Sequence, residues 1–416
     1  MGDDRAVRLS SAFEVAEFRA LWLADLLSSC GDQIARVALS VVVYQRTGSA
    51  ILAGLTYALT YAPSFLGGIV LAGLADHFPR REVMASLDLI RAVLIGLVAI
   101  PGIPLGATWA LIAAVSFVSP PFKAAQLALL SDVLDKRRYL AGLSIRSITN
   151  QSAQLAGFAG GGLLLTLVGP SYGLAIDSLS FVASAAFVRF GVHRRPAAAD
   201  ASARQSFVGS SITGAKLAFA DRGARVLLGM IWLVGLIPTY EGLAAPYSAA
   251  LGGGTVAVGL LLASDPCGSV VGSFLFGRLR PAWQVRSLGP LTVLTGIPLV
   301  LCLIHPGLVV SMVVFAVSGA FGTIVVIKAT DELSQRTPDT HRGMIMGLSN
   351  TGLTTTMGIS PLIGGAVADQ TSPALAVAWF GIGGIVLAVP LAIGWHAARR
   401  RALTPEPEPA TTSSRR

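Results

Sequence analysis

Apolar residues run along the chain in twelve stretches separated by short polar breaks. They cover residues 18–45, 50–75, 83–103, 107–130, 141–168, 171–190, 224–247, 254–277, 286–305, 307–328, 343–368 and 372–397. Each is near the ~20 residues that a helix needs to cross a hydrocarbon layer ~30 Å thick. The pattern predicts an all-α integral membrane protein with twelve transmembrane helices. Connections on one side, at 47–49, 104–106 and 369–371, are too short to hold a domain. The longest connection, 191–223, opens with His193, Arg194 and Arg195 and carries an amphipathic helical pattern over 206–220. It divides the chain into a six-helix bundle over 18–190 and a second over 224–397. An N-terminal segment, 1–17, and a tail, 398–416, flank them. Pro405, Pro407 and Pro409 among Glu, Thr and Ser give the tail a disordered composition.

The two halves repeat one another. Gly-Leu-Ser at 142–144 recurs at 347–349, the pair Gly68 and Gly73 recurs as Gly272 and Gly277, and the small-residue run at 157–162 recurs at 360–365. The offset is nearly constant at half the chain length. A parallel duplication about an axis along the membrane normal would place helices 1, 4, 7 and 10 around a central cavity, with a substrate site near the midplane.

Charge then sets the orientation. Of the 31 Lys and Arg, Arg36, Arg91, Lys123 and Arg146 lie inside spans and Arg46 lies on the far side; the rest fall on the side of the two termini and alternate connections. The positive-inside rule puts both termini in the cytoplasm, with the protein in the plasma or inner membrane. The net charge of +9 belongs to loops facing anionic headgroups and implies no nucleic-acid partner. At 53% hydrophobic and 13% charged residues, the composition excludes a soluble domain. Cys30, Cys267 and Cys302 all fall inside spans, so no disulfide framework is implied. The polar first 17 residues lack a following cleavage site, which makes helix 1 a retained anchor. There is no phosphate-binding loop, HExxH, CxxC or Gly-x-Ser-x-Gly, and the five His are scattered near span ends. Neither an ATP-driven pump nor an enzyme is indicated, and no cofactor or metal is implied.

Several polar groups remain within the spans, where a charge costs ~2.5–3.5 kcal/mol unless it faces a cavity or a partner. Asp25, Asp32 and Arg36 share one face of helix 1. Asp32 and Arg36 are spaced to form a self-satisfied pair, or Asp32 carries a proton. Helix 8 has Asp265 beside Pro266, and helix 7 has Pro238, Tyr240 and Glu241; broken helices at this depth are where transporters build sites. Asp265, with no basic residue within one turn, ranks above Asp32 as the coupling carboxylate. Asp177 has Ser178 and Ser180 as local hydrogen-bond partners. Arg146, Asn150 and Gln154 form a stripe on helix 5 that lines the cavity or binds helix to helix. Asp88 and Arg91, one turn apart, read as a structural pair. Trp22, Trp109 and Trp395 lie near span ends and suit interfacial belts.

Between helices 2 and 3, Gly73, Asp76, Arg80 and Arg81 resemble the Gly-Asp-Arg loop of the major facilitator superfamily, with His77 for the usual Arg and Pro79 for the usual Gly. Gly73 allows close helix approach, Asp76 can face the N-terminal end of helix 11 near Gly343, and Arg80 or Arg81 can pair with Asp132. These contacts form a cytoplasmic gate, or else the charges merely terminate helices and orient the loop. The second-half counterpart, Gly277 to Arg280, lacks the acid. In helix 5, Gly157, Gly161 and Gly162 resemble the G-P-x-x-G-G element of drug and proton antiporters, with Phe158 in the Pro position. Pro361, Gly364 and Gly365 repeat it in helix 11, and small residues at both places permit close helix packing. Lys123 and Gln126 are similar to an R-x-x-Q element of proton-coupled members.

The whole of 18–397 fits the major facilitator fold, and residues 21–32 and 175–181 resemble the branch of enterobactin-type siderophore exporters and macrolide efflux proteins. The resemblance implies a monomeric secondary transporter in the lipid bilayer. It would export a small organic molecule, such as a drug, siderophore or secondary metabolite, against entering protons by alternating access. An uptake carrier or lipid flippase of the same fold, or a membrane sensor, are the alternatives. The expected pathway residues are Asp32, Arg36, Lys123, Gln126, Asn150, Gln154, Glu241 and Asp265.

Overall fold

A computed structural model describes residues 9–71, 73–196, 216, 219–278 and 286–403. These residues are helical almost throughout. A 3-10 turn, Leu9–Glu14, leads into α1 (Ala16–Thr47), which ends at Gly48 with φ 64°, a left-handed turn that glycine adopts without strain. The next apolar stretch is divided into α2 (Ala50–Leu59), α3 (Ala62–Val70) and the single turn α4 (Leu74–His77). The division falls just before Pro63, which has no N–H to continue α2. Then follow α5 (Arg80–Val98), α6 (Leu105–Val133), α7 (Lys136–Val168) and α8 (Pro170–Gly191).

The second half follows. It comprises α9 (Arg222–Leu236), a 3-10 turn Thr239–Glu241, α10 (Ala244–Ala250), α11 (Thr255–Phe276), α12 (Leu288–Val300) with a 3-10 turn Leu301–Ile304, α13 (Leu308–Arg336), α14 (Asp339–Gln370) and α15 (Pro373–Leu403). Pro238 separates α9 from the following turn, whereas α11 continues unbroken through Pro266. The break at helix depth is therefore in the seventh apolar stretch and not beside Asp265. The last helix reaches Leu403, so residues 398–403 are helical and not part of a disordered tail. The amphipathic pattern over 206–220 lies largely outside the described residues, as does the tail beyond 403.

Eight helices or helix pairs are long and apolar enough to cross a membrane among the described residues. Helices α5, α7 and α14 are of spanning length but more polar, and Leu288–Ile304 is apolar but shorter. In the first half α1 packs on α7 and α8, α5 on α6 and α8, and α3 on α6. In the second half α9 packs on α14 and α15, α12 on α13 and α15, and α11 on α13. Each pairing has its counterpart at the equivalent place in the other half.

The halves meet along two crossings, α7 with α11 and α2 with α14. Glycine makes both possible. A methyl group at Gly162 would lie 2.9 Å from Gly259 Cα and 3.0 Å from the Thr255 carbonyl; one at Gly365 would lie 2.6 Å from Ile51 Cα. Backbones this close gain dispersion contacts that larger side chains would prevent. Along α14 the contact runs from Asp369, beside the start of α2, to Gly358, where an added methyl would be 3.5 Å from Tyr61 Cβ. Gly343 and Gly347, in the first turns of α14, have nothing within the same reach among the described residues. The halves are thus in close contact at the end remote from the termini.

Candidate functional site

The break after α9 positions the first part of the site. Pro238 stops the helix, and the 3-10 turn projects Glu241 toward the first half, where the Tyr57 hydroxyl on α2 donates to its carboxylate. Tyr57 and Tyr61 are one turn apart, their hydroxyl oxygens 3.5 Å from each other. Arg36 on α1 donates to the Tyr61 hydroxyl at 2.9 Å, and its guanidinium lies 5.9 and 5.1 Å from the Tyr57 and Tyr61 ring centroids. A polar chain therefore joins Arg36, Tyr61, Tyr57 and Glu241 across the divide between the halves. Of the two alternatives for Asp32, the pair with Arg36 is not formed: no salt bridge joins them, and the guanidinium lies against two aromatic faces and a hydroxyl.

The second part lies within the second half. Asp265 on α11 accepts from the Tyr240 hydroxyl and, at 3.2 Å, from Ser269. Ser269 also meets Thr323 at 2.7 Å. Gly319 on α13 has no side chain to displace the Asp265 carboxylate, which a methyl there would contact at 2.7 Å. Tyr240 is held in place by stacking on Phe315 at 4.2 Å and 7°. Glu241 and Asp265 line one cavity of 220 Å³, together with Tyr240, Ser318, Thr323 and Met357. The cavity holds two carboxyl groups among hydroxyls and apolar walls, an arrangement able to bind a cation or exchange a proton.

The other expected pathway residues divide into two groups. Gln126 is buried and donates to Asp25 at 2.8 Å while accepting from Arg146, whose Nε is 3.5 Å from the other Asp25 oxygen. Asn150 accepts from Ser29 at 3.1 Å. These residues tie α1, α6 and α7 together and are not free to line a passage. Lys123 is exposed, Asp32 and Gln154 are half-buried, and no hydrogen bond engages the three side chains. Lys123 lies within electrostatic reach of Asp32, Arg36, Arg91 and Arg146. Asp177 accepts from Ser180 at 3.3 Å, and Asp88 pairs with Arg91 as spaced. Trp395 departs from its expected place: it is 1% exposed, under the Arg336 guanidinium, and not in an interfacial belt. The sequence does not single out Tyr57 and Tyr61, because two tyrosines one turn apart in an apolar run carry no signal for partners on α1 and in the turn after α9.

At the terminus side, Arg80 pairs with Asp132 and also donates to the Ala128 carbonyl at 3.4 Å. Arg81 turns instead to Glu82 and the Val192 carbonyl. The Asp76 side chain lies outside the described residues, and a methyl at Gly73 would lie 3.1 Å from the His77 ring. An added methyl at Gly157 would be 2.7 Å from Gln33 Cβ, one at Gly161 3.3 Å from Ile34 Cα, and one at Gly364 would collide with Thr239. The Pro361 carbonyl fills the space above Gly54.

A helical membrane protein whose two halves meet around a polar site is the architecture of a major facilitator transporter. The sequence profile described as transmembrane secretion effector matches residues 10–408, and the chain belongs to this family of the superfamily. It is a membrane transporter and not an enzyme. It is 26% identical over 366 residues, 86% of this chain and 90% of the relative, to the uncharacterized MFS-type transporter YjbB of Bacillus subtilis (strain 168). Among solved structures it is similar to the nucleoside transporter NupG, with TM-score 0.72 at 14% identity over 91% of this chain and 99% of that one. It is also similar to a bacterial homolog of the human lysosomal transporter Spinster in an inward-facing, unoccupied conformation. There the TM-score is 0.71 at 14% identity, over 95% of this chain and 99% of the other. At these identities the structural likeness speaks for the fold alone.

Proposed function

We propose that the protein is a proton-coupled exporter of a small organic molecule, built from twelve spans in two six-helix bundles, with both termini cytoplasmic. Counting α5, α7, α12 and α14 with the eight apolar spans supports the number, and the equivalent helix pairings in each half support the parallel repeat. The family description favours export. With the termini in the cytoplasm, contact between the halves at the remote end corresponds to a state closed to the outside and open to the inside.

The observation that carries the reading is the cavity shared by Glu241 and Asp265, bridged to the first half through Tyr57. Rocking the halves apart at the outer end breaks the Tyr57–Glu241 bond while leaving Asp265 with Tyr240 in its own half. Glu241 thereby changes its surroundings once per cycle, as a coupling group must. The test is efflux from proteoliposomes of purified protein under an imposed pH gradient, with lipophilic cations, macrolides and siderophores as probes. Gradient-dependent movement of one of these, lost in Glu241→Gln and altered in pH dependence in Asp265→Asn, is the expected result. If both variants keep the parental rate and pH dependence while Asp32→Asn loses coupling, helix α1 carries the proton. Transport indifferent to the gradient in the parent removes proton coupling altogether.

A further inference from the structure

Away from the central site, α4, α5 and α8 enclose a groove of 670 Å³ on the flank of the first half. This volume is in the range of small-molecule sites, ~300–1,000 Å³. Phe78, Val83, Leu89, Val182, Ala186 and Phe190 line it. Phe78, Leu89, Val182 and Phe190 are exposed, as side chains facing lipid are.

The rim of the groove is charged. Glu82 lies in the first turn of α5 and Arg189 in the last turn of α8, both at the terminus-side ends of their helices. Leu89 and Val182 lie two turns further in, so the groove descends ~10 Å from its charged rim. Arg81 donates to Glu82 at 2.7 Å and keeps a buried Nε without a partner. Arg189 and Arg194 stand 3.9 and 4.0 Å from the same carboxylate, donate no hydrogen bond to it, and are 51% and 68% exposed. The chain on either side of Arg194 is tethered, because His193 and Arg195 are both bonded to Glu17. The Arg81 hydrogen bond holds Glu82 below its usual range, so one ionised carboxylate is shared by three guanidinium groups. The rim is net positive, and the N-terminus of α5 adds to it.

We propose that this groove binds an anionic phospholipid of the leaflet on the side of the termini, with its phosphate between Arg189 and Arg194 and an acyl chain along Leu89 and Val182. Basic pockets between membrane helices select anionic headgroups. A zwitterionic lipid would bring a second cation to a rim that already has an excess of them, and a free phosphate would leave the apolar groove unfilled. Leu74 and Phe78 in the wall belong to the connection that leads into Arg80, so the bound lipid would hold the gate segment against α8.

The test is native mass spectrometry of the purified full chain after incubation with phosphatidylglycerol, phosphatidylcholine of the same acyl chains, or inorganic phosphate, with thermal unfolding in parallel. One phosphatidylglycerol retained under conditions that strip phosphatidylcholine, with a raised unfolding temperature, is expected. The double variant Arg189→Gln, Arg194→Gln should lose that lipid, and Ala186→Trp, which fills the groove and leaves every charge in place, should lose it too. Parental retention in either variant overturns the proposal. So does equal retention of phosphatidylcholine, or an equal stabilisation by inorganic phosphate, which would mark a simple anion site. If the arginine variant does not fold, the outcome with Ala186→Trp decides.

Discussion

Arg91→Ala is expected to destabilise the protein by about 3–5 kcal/mol, the cost of leaving one member of a buried ion pair behind. Asp88 is 0% exposed and Arg91 4%. Arg91 donates to Asp88, and the second Asp88 oxygen accepts from Ser184 on α8 at 2.7 Å. The guanidinium is sandwiched between Phe122 on α6, at 4.0 Å from its ring centroid, and Phe181 on α8, at 4.6 Å. One side chain thus joins three helices. Removing it leaves a carboxylate in a dry site with a single hydroxyl for company, and removes two cation–π contacts of ~0.5–2 kcal/mol each. Chemical unfolding in detergent measures the loss. Replacing both charges, with Asp88→Asn and Arg91→Met, avoids the orphaned carboxylate and should recover much of it. An Arg91→Ala protein within about 0.5 kcal/mol of the parent would show that water reaches Asp88.

The same pair illustrates what a membrane sequence discloses. Asp88 and Arg91 are three residues apart, and helical spacing alone brings them together. Asp32 and Arg36 have an equally suitable spacing, yet the arginine leaves its neighbour for Tyr57 and Tyr61. Periodicity reports which groups can meet along one helix but says nothing of competitors on the next. The Asp25, Gln126 and Arg146 cluster was hidden for the same reason: its members come from α1, α6 and α7, so Gln126 alone read as a pathway residue and Arg146 as lining the cavity or binding helix to helix. Features that depend on the local chain were more legible. Pro238 ends a helix as its missing N–H suggests, although Pro266, with the same chemistry, sits inside an unbroken α11; a Gly run in an apolar helix marks a close crossing. Even there the partner was not readable. That Gly162 meets Gly259, in the opposite half, follows from the arrangement of helices in space.

Asp369→Ala is expected to release the closed end of the molecule. In the closed state its carboxylate accepts from the Ser49 hydroxyl at 2.7 Å, the Ala50 N–H at 2.6 Å and the Ile51 N–H at 3.1 Å. Those N–H groups belong to the first turn of α2 and have no partner within their own helix. A residue of one half therefore caps a helix of the other, and the cap is lost when the halves separate at this end. Caps of this kind contribute about 0.5–2 kcal/mol, so the ratio of closed to open should fall by roughly two- to thirty-fold. Asp369→Asn keeps an acceptor oxygen without the charge and should fall between. Spin labels at the exposed Gln45 and Thr371 would report the change as a longer distance population.

The sign with pH follows from the same bonds. Partial burial opposes ionisation of Asp369, but the hydrogen bonds from Ser49, Ala50 and Ile51 outweigh it and hold the carboxyl below its ordinary range in the closed state. Closure by this group is then fully present above the ordinary value of ~3.9 and is lost as pH falls through the lowered one. The contribution of Asp369 should be constant from about pH 5 to 8 and be lost in stronger acid, so Asp369→Ala should be more open throughout and lack that acid limb. An unchanged distribution in Asp369→Ala would mean that the glycine crossings at Gly162 and Gly365 hold this end shut without help from the cap.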